Sequence, residues 1–192
     1  MSHQKVISDI ENGVFQKVYF LHGEEPYFID LIIDALLKHA LQEHERDFNQ
    51  TILYGKDSDA LSMISEAKGY PMMAERRLVV LKEAQDFRQI EDLASYFEAP
   101  SDQTIFVLGY KYKKYDSRKK SIKAAAKNGI VFHSEKVKEY KLPDWISAYV
   151  KTKGYGITPK ATILLAEFLG NDLSKIVNEL NKLDILMESG TT

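Results

Sequence analysis

The sequence has 192 residues, 44% of them apolar and 28% charged, and its 26 basic side chains nearly balance 28 acidic ones. This composition is typical of a globular protein, and the length suits one domain of roughly 100 to 150 residues with a smaller second one. The chain has no cysteine, which excludes disulfides, thiolate metal sites and cysteine nucleophiles. The polar N-terminus and the lack of a long apolar run predict a cytoplasmic protein without a membrane partner.

The first predicted elements are a strand, a tight turn and a helix. Val18–Leu21 is a short apolar run that predicts a buried strand, and Gly23 and Pro26 indicate a turn after it. Apolar residues then recur every three or four positions from Tyr27 to about Leu41, which predicts a helix. This order is typical of the beginning of a βαβ unit.

The same alternation continues to about residue 132. Further strands are predicted over 48–54, 78–81, 104–108 and 130–132. The helices between them are predicted from the stripe Leu61, Ile64, Ser65 and Lys68, from Gln89 to Phe97, and in a basic segment after the fourth strand. Strands that are apolar on both faces and alternate with helices predict an α/β domain with a parallel five-stranded sheet between helix layers.

After Leu142 the alternation stops and helices follow one another. They are predicted to begin at Pro143, at Thr158–Pro159 and at Asn171–Asp172. Three short helices without a strand predict a small helical lid domain. The charged stretch near Lys138–Lys141 carries no apolar stripe, so we divide the chain there into residues 1–140 and 141–192.

The predicted layout, an α/β domain followed by a helical lid, is that of the AAA+ family of nucleotide-driven machines. Members that bind nucleotide carry a glycine-rich loop after the first strand, with a lysine for the phosphates and a hydroxyl for magnesium. Here the loop from His22 to Asp30 has one glycine and no lysine, and Glu24 and Glu25 would repel a triphosphate. The third strand ends in Lys82–Glu83, and a lysine opposes magnesium. We therefore predict no ATP hydrolysis and no cofactor.

Several segments, in order, resemble the delta subunit of bacterial DNA polymerase III. They are Val18–Tyr27, Pro71–Leu81, Lys113–Lys119, Leu142–Ile146, Gly170–Leu173 and Asn178–Leu183. The resemblance spans nearly the whole chain. It implies a role in DNA replication as a clamp-loader subunit, which binds the ring-shaped sliding clamp and holds one of its interfaces open without hydrolysing ATP.

The resemblance also implies a third, helical collar domain, which joins the other clamp-loader subunits. The sequence ends close to where that domain would begin, so we expect a fragment that lacks the collar and binds the clamp.

Met72 and Met73 are the principal candidates for clamp contact. A one-turn helix after the Gly69–Pro71 turn would present both side chains at an edge of the sheet, and methionine adapts to a shallow pocket. The resemblance implies that this adjacent apolar pair enters a pocket on the clamp. The residues alone also allow both methionines to pack beneath the neighbouring helix. The other predicted members of the contact are Pro71, Ala74 and Arg76, with Arg76 either in a charged rim around the methionines or simply on a solvated face.

A basic segment between residues 111 and 127 is the candidate for DNA contact. Its one acidic residue is Asp116, and such local basicity allows salt-sensitive contact with the DNA backbone. The predicted contact residues are Lys113, Lys114, Arg118 and Lys119. The alternative is an exposed amphipathic helix whose Ile122 and Ala125 face the sheet.

No catalytic or metal site is predicted. The five histidines have no metal-ligand spacing, and no serine, histidine and acid form a recognisable nucleophile set. Two other functions stay open: a nucleotide-dependent α/β enzyme with a divergent phosphate loop, and a nucleic-acid-binding module that uses the basic segment. Nucleotide titration distinguishes the first, and salt-dependent duplex binding distinguishes the second.

Overall fold

A computed structural model describes residues 1–186, with side chains described to residue 183. The last part of the predicted lid, residues 187–192, lies outside the described residues. The chain divides into two compact units, the first being Met1–Glu135 and the second beginning at Lys136, a few residues before the predicted boundary. Between residues 1 and 186 there is no helix with the length and apolarity needed to cross a membrane.

The first unit alternates strands with helices. Its strands are β1 (Val18–Gly23), β2 (Gln50–Tyr54), β3 (Arg77–Lys82), β4 (Thr104–Tyr110) and β5 (Gly129–Ser134). Its helices are α1 (His3–Glu11), α2 (Pro26–His39), α3 (Arg46–Asn49), α4 (Ala60–Lys68), α5 (Ala94–Glu98) and α6 (Lys120–Asn128). Short 3-10 turns occur at Glu43–Glu45, Ala84–Asp86 and Ile90–Leu93.

The strands form one parallel sheet with the order β2-β3-β4-β1-β5. Central strands β1, β3 and β4 are buried along almost their whole length because helices cover both faces. On one face Phe20, Phe97 and Phe106 pack together, with ring centroids 6.4 Å apart for Phe20 and Phe97 and 5.3 Å for Phe97 and Phe106. The α/β fold class predicted from the sequence is confirmed.

Helix α4 forms where it was predicted, but its buried face is different. Ala60, Met63 and Ala67 are buried, whereas Leu61 is 81% exposed. The predicted stripe that began at Leu61 is therefore wrong. Two alanines and a methionine carry a weaker apolar signal than leucine and isoleucine, although they fit more closely against β3 and β4.

The N-terminal helix α1 was not predicted. Its N-cap is Ser2, whose side chain accepts a hydrogen bond from the Lys5 backbone N–H, and it buries Val6 and Ile10. With so few apolar residues, the segment gives little periodicity to detect. The second strand also begins later than predicted, because residues 46–49 form the helical turn α3.

The basic segment is mostly a loop. Helix α6 begins only at Lys120, and residues 111–119 precede it without regular structure. Ile122 and Ala125 are buried against the sheet, and Lys123 and Lys127 are exposed. This part of the segment thus matches the amphipathic-helix alternative.

Up to residue 186, the second unit contains three helices, α7 (Leu142–Thr152), α8 (Pro159–Leu169) and α9 (Leu173–Leu186), after a 3-10 turn at Glu139–Lys141. The Thr158 hydroxyl caps α8 by accepting a hydrogen bond from the Ala161 N–H at 3.3 Å. Gly170 ends α8 with a φ of +69°, which only glycine adopts readily. Leu142, Ile146, Val150, Leu173 and Ile176 are buried.

Candidate functional site

The segment Tyr70–Arg76 joins α4 to β3 at the amino-terminal edge of the sheet. Met73 is 100% exposed, Met72 58% and Tyr70 84%. Adjacent large apolar side chains on a surface are typical of a protein-interaction site. The alternative in which both methionines pack beneath the neighbouring helix is therefore wrong.

The backbone of this segment is not the predicted one-turn helix. Residues 72–75 form consecutive bends, and Met73 adopts a left-handed conformation with φ of +52°. Such a conformation is uncommon for a residue other than glycine, and it persists only where neighbouring groups hold the backbone.

Asn49, the last residue of α3, holds the backbone of Met72 from both sides. Its Nδ2 donates to the Met72 carbonyl oxygen at 2.9 Å, and its Oδ1 accepts from the Met72 N–H at 2.7 Å. Nδ2 also donates to the Glu45 carbonyl oxygen at 3.0 Å. Asn49 is only 1% exposed, so water does not compete for these bonds. Asn49 was not predicted as a functional residue, since a lone asparagine in a predicted strand carries no signal of a distant partner.

The other predicted contact residues lie in the same surface segment. Pro71 and Ala74 are half-buried on either side of the methionines. The Arg76 guanidinium lies 4.8 Å from the centroid of the Phe15 ring, and it donates to Glu75 at 2.9 Å. The structure thus brings all five predicted residues together, and Arg76 is anchored beside them rather than fully extended into water.

At the opposite, carboxyl-terminal edge of the sheet, the loop after β1 bonds to the end of β5. The Ser134 carbonyl oxygen accepts from the N–H groups of Glu24 at 2.9 Å and Glu25 at 3.3 Å. The next donor along the chain, the Tyr27 N–H, reaches Glu25 Oε1 at 3.1 Å. A Cβ at Gly23 would lie 2.0 Å from the Ser134 oxygen, so the two strands leave no room for a side chain there.

A buried lysine joins the ends of three elements at this edge. Lys111 Nζ lies 2.7 Å from Asp30 Oδ1 and 2.8 Å from Glu83 Oε1. Burial alone would lower the pKa of Lys111, but the two carboxylates outweigh burial and raise it. Lys82 was predicted to be the cation that opposes magnesium at this edge, whereas Lys111, after β4, makes the two contacts with carboxylates.

The predicted DNA-contact residues share the loop before α6 and are exposed. Arg118 makes a bidentate contact with Asp116, Nε to Oδ1 at 3.0 Å and a terminal nitrogen to Oδ2 at 2.9 Å, and this contact lowers the pKa of Asp116 to about 2. The Lys113 ammonium lies 5.4 Å from the Tyr110 ring centroid. The structure therefore brings the basic residues together, but Arg118 already has an acidic partner.

Comparisons with known proteins give a consistent result. The family model described as "DNA polymerase III, delta subunit" matches residues 19–135. DNA polymerase III subunit delta of Bacillus subtilis (strain 168) is 27% identical over 188 residues, which cover 93% of this chain and 54% of that protein. This chain thus spans about half the length of the curated relative.

Solved structures agree with the sequence comparisons. The Bacillus subtilis DNA clamp loader delta protein matches with a TM-score of 0.75 and 26% identity, over 95% of this chain and 57% of that chain. A mutant of Thermotoga maritima RuvB matches with a TM-score of 0.51 and 15% identity, over 92% of this chain and 57% of the RuvB chain. This match indicates a shared fold alone. The family model matches more than half of the residues of this chain, and this chain therefore belongs to the DNA polymerase III delta subunit family.

Proposed function

We propose that this chain acts in DNA replication as the part of a clamp-loader delta subunit that binds the sliding clamp and opens its ring. The observation that carries the proposal is the exposed pair Met72 and Met73, held on a fixed backbone at one edge of the sheet. Methionine is unbranched and polarizable, which suits insertion into an apolar pocket. Membership in the delta family supplies the partner, since the Bacillus subtilis relative of known structure is named a DNA clamp loader delta protein.

The proposed contact has an apolar centre and a polar rim. Met72 and Met73 form the centre, with Pro71 and Ala74 beside them. Arg76 supplies a charged rim, which favours correct orientation more than affinity. Ring opening follows if this surface binds the distorted clamp interface more tightly than the closed one, because a ligand shifts an equilibrium only by its difference in affinity.

We also propose that this chain hydrolyses no ATP. The N–H groups of Glu24 and Glu25, which lie where a phosphate loop would bind its anion, already donate to Ser134, and Pro26 has no N–H. Titration with magnesium ATP should give no saturable binding at millimolar nucleotide. A dissociation constant below about 1 mM would instead favour the alternative of a nucleotide-dependent enzyme.

The test of clamp binding compares the wild-type chain with the double variant Met72→Ala/Met73→Ala in physiological salt. Central apolar anchors typically contribute 2 kcal/mol or more, so the dissociation constant for the cognate clamp should rise by about 30-fold or more. The matched control is Leu61→Ala/Phe168→Ala, which also removes two exposed apolar side chains. The control should bind as the wild type does.

Three results would contradict the proposal. They are no binding by the wild-type chain to a folded clamp, full binding by the methionine variant, and an equal loss in the control. Circular dichroism of each variant separates a lost contact from a lost fold.

We propose two further contacts that rest on the family and on exposure. Association with the other clamp-loader subunits is expected of the whole protein. Weak DNA-backbone contact by Lys113, Lys114, Arg118 and Lys119 is expected to fall steeply with salt and to survive the methionine substitutions. Duplex binding by Lys114→Glu/Lys119→Glu should be weaker than that of the wild type, and unchanged binding would exclude this loop as the contact.

A further inference from the structure

We propose that Asn49 is the positioning residue of the clamp-contact segment: its side-chain amide fixes the backbone of Met72 so that Met73 projects into solvent. The inference rests on the proposed function and deepens it. Asn49 itself would not contact the clamp, because it is buried beneath the segment and acts through the backbone of Met72.

The chemistry of the contact is specific to an amide. Asn49 simultaneously donates to the Met72 carbonyl and accepts from the Met72 N–H, and a side chain must carry both a donor and an acceptor to do this. Its second donor bond, to the Glu45 carbonyl, attaches the amide to the short helical region before β2. Asn49 thus connects two segments that are 23 positions apart in the sequence.

The exposed methionine needs such a restraint. Met73 has a left-handed backbone, and its fully exposed side chain makes no packing that would favour that conformation. The hydrogen bonds from Asn49 to the backbone of the adjacent Met72 hold the strained turn in place. An anchor that is fixed before binding loses less conformational entropy when it enters a pocket, so the amide raises the affinity for the clamp without contacting it.

The variant Asn49→Ala removes the three bonds and leaves both methionines in place. If only a fraction of molecules then presents the segment correctly, the dissociation constant for the clamp rises by the inverse of that fraction. We expect a rise of about tenfold. Asn49→Asp keeps the acceptor for the Met72 N–H but places a carboxylate against the Met72 carbonyl, and we expect it to weaken clamp binding as well.

The matched control is Asn128→Ala in the same unit. Asn128 Nδ2 donates to the carbonyl oxygens of Phe97 at 2.8 Å and Glu98 at 3.2 Å, so its loss also removes bonds from a side-chain amide to distant backbone. It should lower the free energy of unfolding by a similar amount without changing clamp affinity.

The second measurement is hydrogen exchange of the Met72 backbone amide in the free protein. Asn49→Ala should speed this exchange by at least about tenfold, and Asn128→Ala should leave it as in the wild type. This readout reports the restraint on the segment and requires no clamp.

The outcomes separate the two proposals. Weaker clamp binding and faster Met72 exchange in Asn49→Ala alone support the positioning role. Equal losses of clamp affinity in both asparagine variants, or unchanged exchange and affinity in Asn49→Ala, overturn it. If the wild-type chain binds no clamp, the proposed function fails and the link from Asn49 to the clamp fails with it, while the exchange data alone decide whether Asn49 restrains the segment.

Discussion

The two edges of the sheet in the first unit differ in what they offer to a partner. At the carboxyl-terminal edge, Lys111 lies between two carboxylates and the Ser134 carbonyl accepts from the loop after β1. At the amino-terminal edge, Met72 and Met73 lie in solvent on a backbone held by Asn49. Open α/β sheets usually bind ligands at the carboxyl-terminal edge. In this chain the polar groups named above bond to one another, and the exposed methionine pair lies at the other edge.

The difference shows how one fold separates stability from binding. Internally paired polar groups at one edge stabilise the unit and leave few hydrogen-bonding groups for a ligand. Exposed methionines at the other edge contribute little to folding and are available to a partner. Substitutions of these paired polar groups should therefore change stability, and substitutions of the exposed methionines should chiefly change binding.

The largest effect on stability is expected for Lys111→Met. Removing the ammonium leaves Asp30 and Glu83 facing each other without the lysine between them. The free energy of unfolding should fall by about 2 kcal/mol. This is less than for a fully buried ion pair, because both carboxylates are partly exposed. Urea denaturation measures the change. Lys123→Met, at an exposed position of α6, is the control and should stay within about 0.5 kcal/mol of the wild type. Similar stability of the two variants would show that the buried contact is not a source of stability.

A smaller effect is expected for Glu91→Gln at the same edge. The Glu91 carboxylate accepts a hydrogen bond from Tyr115 Oη at 3.0 Å. It also accepts from the backbone N–H groups of Lys120 and Ser121 at 3.2 and 3.3 Å, and these two bonds cap the beginning of α6. Loss of the charge should lower the free energy of unfolding by about 1 kcal/mol at pH 7.

The same variant has a defined pH dependence. Burial would raise the pKa of Glu91, but hydrogen bonds from Ser121, Tyr115 and the backbone outweigh burial and lower the pKa below its ordinary value. A lowered carboxylate pKa contributes stability above the unfolded-state value, and this stability is lost as the pH falls through the folded-state value. The gap between wild type and Glu91→Gln should therefore narrow below about pH 4.5, as measured by urea denaturation. A constant gap, or an equal effect of Glu98→Gln, would contradict the assignment.

The smallest effect on stability, and one of opposite sign, is expected for Met73→Gly. Glycine adopts a positive φ without steric cost, so the free energy of unfolding should rise by about 0.5 kcal/mol after the extra entropy of the unfolded chain is subtracted. Clamp affinity should fall because the apolar anchor is gone. Met72→Gly, at a position without a positive φ, should lower both stability and affinity. A Met73→Gly chain that is less stable than the wild type would show that the left-handed turn carries no strain.

The sheet was predictable because its signal is local. Apolar runs such as Val18–Leu21 and Leu78–Leu81 are buried on both faces, and the predicted strands coincide with β1, β3 and β4. The buried face of α4 was missed because its contact residues are small. Resemblance to a family indicated Met72 and Met73, but only the structure shows that their side chains are exposed.

Residues that act through long-range contacts could not be predicted. Asn49 bonds to a residue 23 positions away, and Lys111 bonds to Glu83 28 positions away. Hydrophobic periodicity describes one element at a time, and it contains no information on which polar side chains meet when strands assemble. Lys111 was therefore grouped with the exposed lysines that follow it, although it is buried.

The close approach of Gly23 to Ser134 has an evolutionary consequence. Replacing residues 22–30 by a phosphate-loop sequence would supply a lysine and a hydroxyl. The backbone N–H groups at the positions of Glu24 and Glu25 would still point at the Ser134 carbonyl. Gain of ATPase activity would require the loop to leave the end of β5, which is a change of backbone path. Exchanging side chains in this loop would therefore not be enough to create a phosphate-binding site, because the donors that such a site needs are already bonded to the end of β5.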